Sequence, residues 1–280
     1  MEREQVMFNS KLLLLAGAAA GVFAAIGLGN GTARANTITD NFNSDTVGAF
    51  NSSGDTLFTD SSGTVKIVNI ATGNNVAQFS AAANLDTKTA AGNAPWKPTL
   101  AAPLTITGDW TFVSAPDYND ELHIYTRESG SGSGIRFGIG IHQGSNTGNA
   151  YIFADQYGAS NFTGATTANT PSYTGNFTTT VALNDVLAFT VTDNGSAISL
   201  NVTDTRTGAT ASLTGSSTFA PTNNDYLVSF LSNEAYTGSG TGLGNLDNVF
   251  ITNSAVPEPA TLGLMSVLGT ALLIGKRKRA

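Results

Sequence analysis

The chain has 280 residues, 13 Lys+Arg against 20 Asp+Glu, a formal net charge of −7 and only 12% charged residues. With 0 Cys there is neither a disulfide framework nor a thiol nucleophile, and with 2 His there is no multi-histidine metal site. Its 31 Gly, its many Thr, Ser and Asn, and 41% hydrophobic residues in ordered patterns fit a turn-rich β domain rather than a disordered chain.

The N-terminus reads as an export signal. Arg3 and Lys11 precede a Leu/Ala/Gly-rich run over residues 12–28, and Ala33-Arg34-Ala35 then supplies an A-x-A cleavage pattern. Glu2 and Glu4 dilute the positive segment. Cleavage is expected after Ala35. A retained N-terminal anchor is the alternative, and the short, glycine-interrupted run argues against it.

From Asn36 onward the hydrophobic period is two. Strands are predicted over residues 65–70, 76–81, 104–113 and 122–127. Ile135, Phe137, Ile139 and Ile141 then alternate with Arg136, Gly138, Gly140 and His142, and another strand follows at 150–154. Leu187, Phe189 and Val191 lead into Asp193-Asn194-Gly195 and on to Ile198, Leu200 and Val202, two strands across an Asn-Gly turn. Arg206-Thr207-Gly208 makes the next turn, Ala211 and Leu213 lie beyond it, and residues 226–231 and 249–252 complete the set.

Roughly a dozen short strands with Gly/Asn/Thr turns and no amphipathic helix predict an all-β fold, a two-sheet antiparallel β-sandwich. A jelly roll or concanavalin-like sandwich is expected, and no repeat of about 20 residues points to a solenoid. Thr39-Asp40-Asn41-Phe42-Asn43 and Leu246-Asp247-Asn248-Val249-Phe250-Ile251 resemble the paired first and last strands of laminin-G-like and carbohydrate-binding jelly rolls. That resemblance implies an oxygen-ligand calcium site involving Asp40 and Asp247. Asx residues capping turns explain the same residues.

Seven of the 13 basic residues lie in the terminal segments against three of the 20 acidic ones, leaving the body near −11. No basic patch exists to displace counterions from a polyanion, so nucleic acid is excluded as a partner. A hydrolase on this fold resembles Glu-x-Asp-x-x-Glu on one strand, and the nearest segment is 120–128. Glu121 and Glu128 differ by an odd number, so a regular strand sends them to opposite faces. Retaining glycosidases need carboxyl groups about 5 Å apart, and a non-enzyme is therefore expected.

The candidate ligand site lies on the hairpin around residues 130–134. His123, Tyr125 and Arg127 share the polar face of one strand, and Arg136 and His142 that of the next. A turn centred near Gly132 sets Tyr125 opposite Gly138 and His123 opposite Gly140, an aromatic platform over bare backbone suited to stacking sugar rings. Simple covering of the exposed glycines is the packing alternative. Trp96, between Pro95 and Pro98, either lines a glycan site or caps the sandwich edge. Ice binding calls for a flat, regular Thr array, and Thr178-Thr179-Thr180 is too short to be one.

The tail closes the chain with Val256-Pro257-Glu258-Pro259, an uncharged run over 260–275, and Lys276, Arg277, Lys278 and Arg279. A helix over that run spans roughly 24 Å, short of a hydrocarbon core of roughly 30 Å. Snorkelling of the terminal cations makes up part of the difference and holds the C-terminus on the cytoplasmic side. These three parts in order resemble the PEP-CTERM sorting signal of exported bacterial proteins. The resemblance implies recognition by an exosortase-type processing enzyme and a tail helix in the inner membrane before processing. The same C-terminal segment occurs on some ice-binding proteins.

The expected organisation is a signal peptide over 1–35, a sandwich over 36–253 and a sorting tail over 254–280. The expected function is that of an exported cell-surface or extracellular-matrix protein, structural or adhesive, contacting polysaccharide. A dedicated carbohydrate- or ice-binding module is the alternative, with a glycoside hydrolase behind it.

Overall fold

The computed structural model of the chain describes residues 36–80, 83–88, 96–114, 120–128, 134–141, 150–157, 175–177, 180, 181–221, 226–234 and 243–253. The signal with Ala33 and Ala35, the tail with Val256, Pro257, Glu258, Pro259, Lys276, Arg277, Lys278 and Arg279, and His142 lie outside the described residues. No helix among the described residues is long and apolar enough to cross a membrane.

Alternating apolar and polar side chains generate the described strands. In chain order these are β1 (Asn36–Asp40), β2 (Gly48–Ala49), β3 (Phe58–Asp60), β4 (Lys66–Ala71), β5 (Asn74–Phe79), β6 (Asn84–Thr87), β7 (Leu104–Ser114) and β8 (Asp120–Glu128). They continue as β9 (Gly134–Ile141), β10 (Ala150–Tyr157), β11 (Gly175–Asn176), β12 (Val186–Asp193), β13 (Ala197–Asp204), β14 (Thr210–Ser216), β15 (Leu227–Glu234) and β16 (Leu243–Asn253). A 3-10 turn, Phe50–Ser52, follows β2.

These strands form two antiparallel sheets. The nine-stranded sheet runs β14-β13-β12-β7-β16-β5-β4-β2, with β1 also on β16, and the seven-stranded sheet runs β11-β10-β9-β8-β15-β6-β3. The all-β two-sheet sandwich is thus as the period of two predicts. Pairing of the first strand with the last is also observed, with Ile38 opposite Ile251 and Asp40 opposite Val249.

Aromatic side chains fill the space between the sheets. Phe230 on β15 reaches Phe189 on β12 at a centroid distance of 6.4 Å, and Phe58 on β3 at 6.2 Å. Trp110 is buried in the same core and packs edge-on against Phe79 and Phe112. Burying such rings is worth several kcal/mol each, since truncating one to Ala costs about 3–5 kcal/mol. Trp96 is 3% exposed and belongs to this core, so it closes the sandwich edge rather than offering an open face to a ligand.

The turns carry the expected chemistry. Gly195 (φ +90°) follows Asn194, whose side-chain oxygen accepts from the Ser196 and Ala197 amides. Gly208 (φ +73°) closes the next turn, where Asp204 accepts from the Arg206 amide.

Candidate functional site

The outer face of the seven-stranded sheet carries most of the polar residues singled out in the sequence. On this face Tyr125 stands opposite Arg136, which stands opposite Asp155; His123 stands opposite Gly138, opposite Phe153; and Glu121 stands opposite Gly140, opposite Tyr151. The register of β8 against β9 is therefore two residues from the one expected. The glycine strip exists, but its aromatic cover comes from β10. A Cβ on Gly140 would lie 2.2 Å from Tyr151 Cζ, and one on Gly138 2.0 Å from Phe153 Cε1, so these rings occupy the bare backbone.

This face is buried, not open. Every residue of β8 is buried, with Tyr125 at 6% and His123 at 1% exposure. Tyr151 Oη donates to Glu121 Oε1 at 2.5 Å, and His123 Nε2 lies 2.7 Å from Glu121 Oε2. Burial raises the Glu121 carboxyl, but these two partners outweigh it and hold the group below its ordinary value. Burial lowers the His123 imidazole, and Glu121 only partly offsets that. A neutral imidazole then donates its Nε2 proton to the carboxylate, while Nδ1 is buried without a partner. Arg136 pairs with Asp155 through Nε–H to Oδ1 at 2.8 Å and through a second, shorter contact, and it lies 5.3 Å above the Phe153 ring.

A bulge changes the parity at the end of β8. Ser229 lies opposite Tyr125 but Leu227 lies opposite Glu128, so β8 carries one extra residue, with Arg127 at φ +55°. Arg127 consequently turns into the sandwich and away from the face of His123 and Tyr125. Its Nε and Nη2 donate to Asp193 at 2.8 and 2.6 Å, and Nη1 donates to the carbonyls of Ser217 and Phe219. Glu128 is brought to the same outer face as Glu121, where Ser229 donates to it. The two carboxylates still stand roughly 20 Å apart along the strand, too far to act as a pair. Burial raises Glu128 to about 7, only partly opposed by the Ser229 hydrogen bond and reinforced by Asp86.

A second cluster gathers at the start of the sandwich. Asp40 ends β1, and Asp45 and Asp55 flank the 3-10 turn, with one carboxylate oxygen of each within 4.8 Å of the others. Phe42, fully buried at φ +56°, turns the chain between the first two. Asp40 Oδ1 accepts from the Phe42 amide, and Asp55 Oδ1 from the Leu57 and Phe58 amides at 2.6 and 2.7 Å. Asp45 is 9% exposed, and its Oδ2, like Asp55 Oδ2, is buried without a hydrogen-bond partner. Burial and the neighbouring Asp55 raise Asp40 to about 7 and Asp45 to about 6. An open cavity of about 360 Å³ lies over these groups, lined also by Thr39, Asn41, Ser44, Thr56 and Leu57. Asp247 is not among them. It lies opposite Asp109 across β16 and β7, and a bulge at Asn248 separates it from the stretch that pairs with β1.

The winged bean acidic lectin complexed with methyl-alpha-D-galactose is similar in structure, with a TM-score of 0.50 at 10% identity over 79% of this chain and 100% of that one. The body has a legume-lectin-like jelly-roll fold. The lectin UEA-II complexed with galactose matches at a TM-score of 0.49 and 10% identity, over 79% of this chain and 99% of that one. No protein-family model matches the chain, and no curated protein sequence is similar to it.

The other outer face of this lectin-like sandwich is rich in hydroxyls. Register sets Thr37, Thr252, Thr105, Thr192, Ser199 and Thr214 side by side across six strands of the nine-stranded sheet. A second row holds Thr39, Phe250, Thr107, Thr190, Asn201 and Ser212. Thr192 and Ser199 are 2.7 Å apart between hydroxyl oxygens. Reading along the sequence missed this array because its neighbours come from different strands. Asp45 and Asp55 were missed as well. The available signal was two Asp-Thr turns, Asp45-Thr46 and Asp55-Thr56, shortly after Asp40.

Proposed function

We propose that the chain is an exported protein of the cell surface or extracellular matrix whose lectin-like body adheres to polysaccharide. The observation that carries the reading is the acidic cavity at the start of the sandwich. Its volume falls at the lower end of the range for small-ligand pockets, and its lining of hydroxyl, amide and carboxylate groups matches the hydroxyls of a sugar. The winged bean lectin, similar in fold, is complexed with a galactoside, which supports the same class of ligand. Glycan-array binding by the mature protein should be strongly reduced by Asn41→Ala with Ser44→Ala. Binding unchanged in that variant would refute the pocket as the site.

The reading is non-catalytic. Both oxygens of Glu121 are engaged by His123 and Tyr151, and Glu128 is buried against Ser229. Polysaccharide turnover lost in Glu128→Gln would overturn it. Delivery rests on the terminal segments, with cleavage after Ala35 and processing near Pro257-Glu258-Pro259 by an exosortase-type enzyme. Mass spectrometry of the native protein should find a mature N-terminus at Asn36 and no peptide spanning residues 254–280. An intact chain beginning at Met1 would reject this routing.

Ice binding is the second reading, favoured by the hydroxyl rows. Across strands their spacing is about 4.8 Å, and along a strand about 6.7 Å, a regular two-dimensional pattern. It ranks second because a twist of roughly 20° per strand bends so wide an array, and Phe250 interrupts the second row. Thermal hysteresis abolished by Thr105→Lys with Thr192→Lys would promote it.

A further inference from the structure

We propose that the 97–103 loop seats the sandwich on the membrane surface, with Leu100 inserted at the interface, as long as the unprocessed tail is in the bilayer. The inference rests on the proposed routing through that tail, and its test separates the two.

The first and last described residues leave the sandwich at one place. Asn36 opens β1 opposite Asn253 at the end of β16, and Asn253 stands opposite Leu104 at the start of β7. The 97–103 loop lies at the same end, because Asn253 Nδ2 donates to the Lys97 carbonyl at 2.9 Å. The sorting sequence therefore starts beside this loop. From Asn253 to Ala260, where the uncharged run begins, the chain extends at most about 25 Å. A tail held in the bilayer keeps this end of the sandwich within that reach of the membrane.

The loop presents an apolar tip on a pinned frame. Thr99 and Ala102 exchange backbone hydrogen bonds at 3.0 and 3.2 Å, and the Thr99 hydroxyl accepts from the Ala102 amide at 2.9 Å. They close a two-residue tip, Leu100-Ala101, flanked by Pro98 and Pro103. Leu100 is 79% exposed, the most exposed large apolar side chain among the described residues. A lone surface leucine ordinarily needs no partner. This one stands where the chain turns toward its membrane segment. Lys97 is exposed beside it, with its ammonium 5.3 Å from the centroid of the buried Tyr226 ring. That ammonium suits a lipid phosphate while its stem lies along apolar surface. The Asp193 carboxylate at this end is buried against Arg127 and does not oppose such a headgroup. Burying one leucine favours the membrane by roughly ten- to a hundredfold, too little to hold a free protein. Tethering by the tail makes the contact intramolecular, so that a small gain suffices. This seating keeps Pro257-Glu258-Pro259 at the membrane surface, within reach of a membrane-bound processing enzyme.

The chain has 0 Cys, so one introduced cysteine carries a fluorophore at a chosen point. The test labels Ala101→Cys, and separately Ala182→Cys, in the full-length chain reconstituted into vesicles of phosphatidylethanolamine and phosphatidylglycerol. Ala182 is the control at the opposite end, just before β12, whose first residue Val186 stands opposite Thr111 near the far end of β7. Spin-labelled lipid should quench the label at 101 at least about twice as strongly as the label at 182, in line with burial of the leucine beside it. Adding Leu100→Asp should abolish that difference while the chain still floats with the vesicles, and Leu100→Ser provides a second variant should the first fail to fold. Flotation with equal quenching at the two positions, or a difference that persists in a folded Leu100→Asp chain, would overturn the loop contact and leave the routing intact. A full-length chain that does not float would overturn both.

Discussion

Replacing Glu128 by Gln should stabilise the protein above neutral pH and change the shape of its pH–stability curve. Glu128 is 8% exposed, its carboxyl accepts from Ser229, and burial raises it from an ordinary 4.5 to about 7. A carboxyl raised in the folded state is charged more readily in the unfolded chain. Its penalty is therefore absent below about pH 4.5, grows as pH climbs through the interval to 7, and is complete above it. The rise of 2.5 units, from 4.5 to about 7, converts to about 3 kcal/mol at 1.36 kcal/mol per unit. Glutamine keeps an oxygen for the Ser229 hydroxyl and never ionises. The assay is chemical denaturation of both proteins from pH 4 to pH 9. Asp40 and Asp45 titrate alike in both, so the difference between the curves isolates residue 128. The variant should match the parent near pH 4 and exceed it by about 3 kcal/mol at pH 8.5, or roughly 6–12 °C in melting temperature. Curves that stay parallel across the range would refute the reasoning.

Asp193→Asn should cost about 3–5 kcal/mol, because it leaves the Arg127 guanidinium buried between the sheets without its bidentate partner. Denaturant melts check this, and a loss under 1 kcal/mol would show that the two carbonyls alone satisfy Arg127. Gly140→Ala should destabilise by about 1–3 kcal/mol, since the new methyl displaces the Tyr151 ring from 2.2 Å and with it the bond to Glu121. The same experiment on Gly73→Ala, where nothing lies within 4 Å but φ is +76°, should cost about 1 kcal/mol from backbone strain alone.

The long strands were legible because each offers several alternations. β7 is buried at every second position from Leu104 to Phe112, and β12 and β13 repeat the pattern around Asn194-Gly195. The strands left unread, β2, β3, β6 and β11, have two to four residues, too few to display a period. They form because register with longer neighbours extends to them. The alternation from Ile135 to Ile141 identified β9 but implied one solvated face, whereas both faces of β8 beside it are buried. Polar residues there survive burial by pairing with one another, Glu121 with His123 and Tyr151, and Arg136 with Asp155. Nothing in the period of a single strand announces the Arg136–Asp155 and Tyr151–Glu121 pairs, since those partners are 19 and 30 residues apart.

The site residues show the same limit in a sharper form. The odd separation of Glu121 and Glu128 is a sound argument for opposite faces only while the strand remains regular, and one residue, Arg127 at φ +55°, removes that condition. With the bulge in place, Asp193 on the facing sheet accepts from Arg127 beside the inward-facing Thr126 hydroxyl, which donates to it at 2.9 Å. Asp40 was found because it lies where the first strand meets the last, but its companions come from turns. Phe42, fixed in the core with a left-handed backbone, directs the following loop so that Asp45 returns to Asp40. In each case a buried aromatic or ion pair sets the position of a polar group several residues away. Where such an anchor pulls on the chain, facing follows the anchor and not the period.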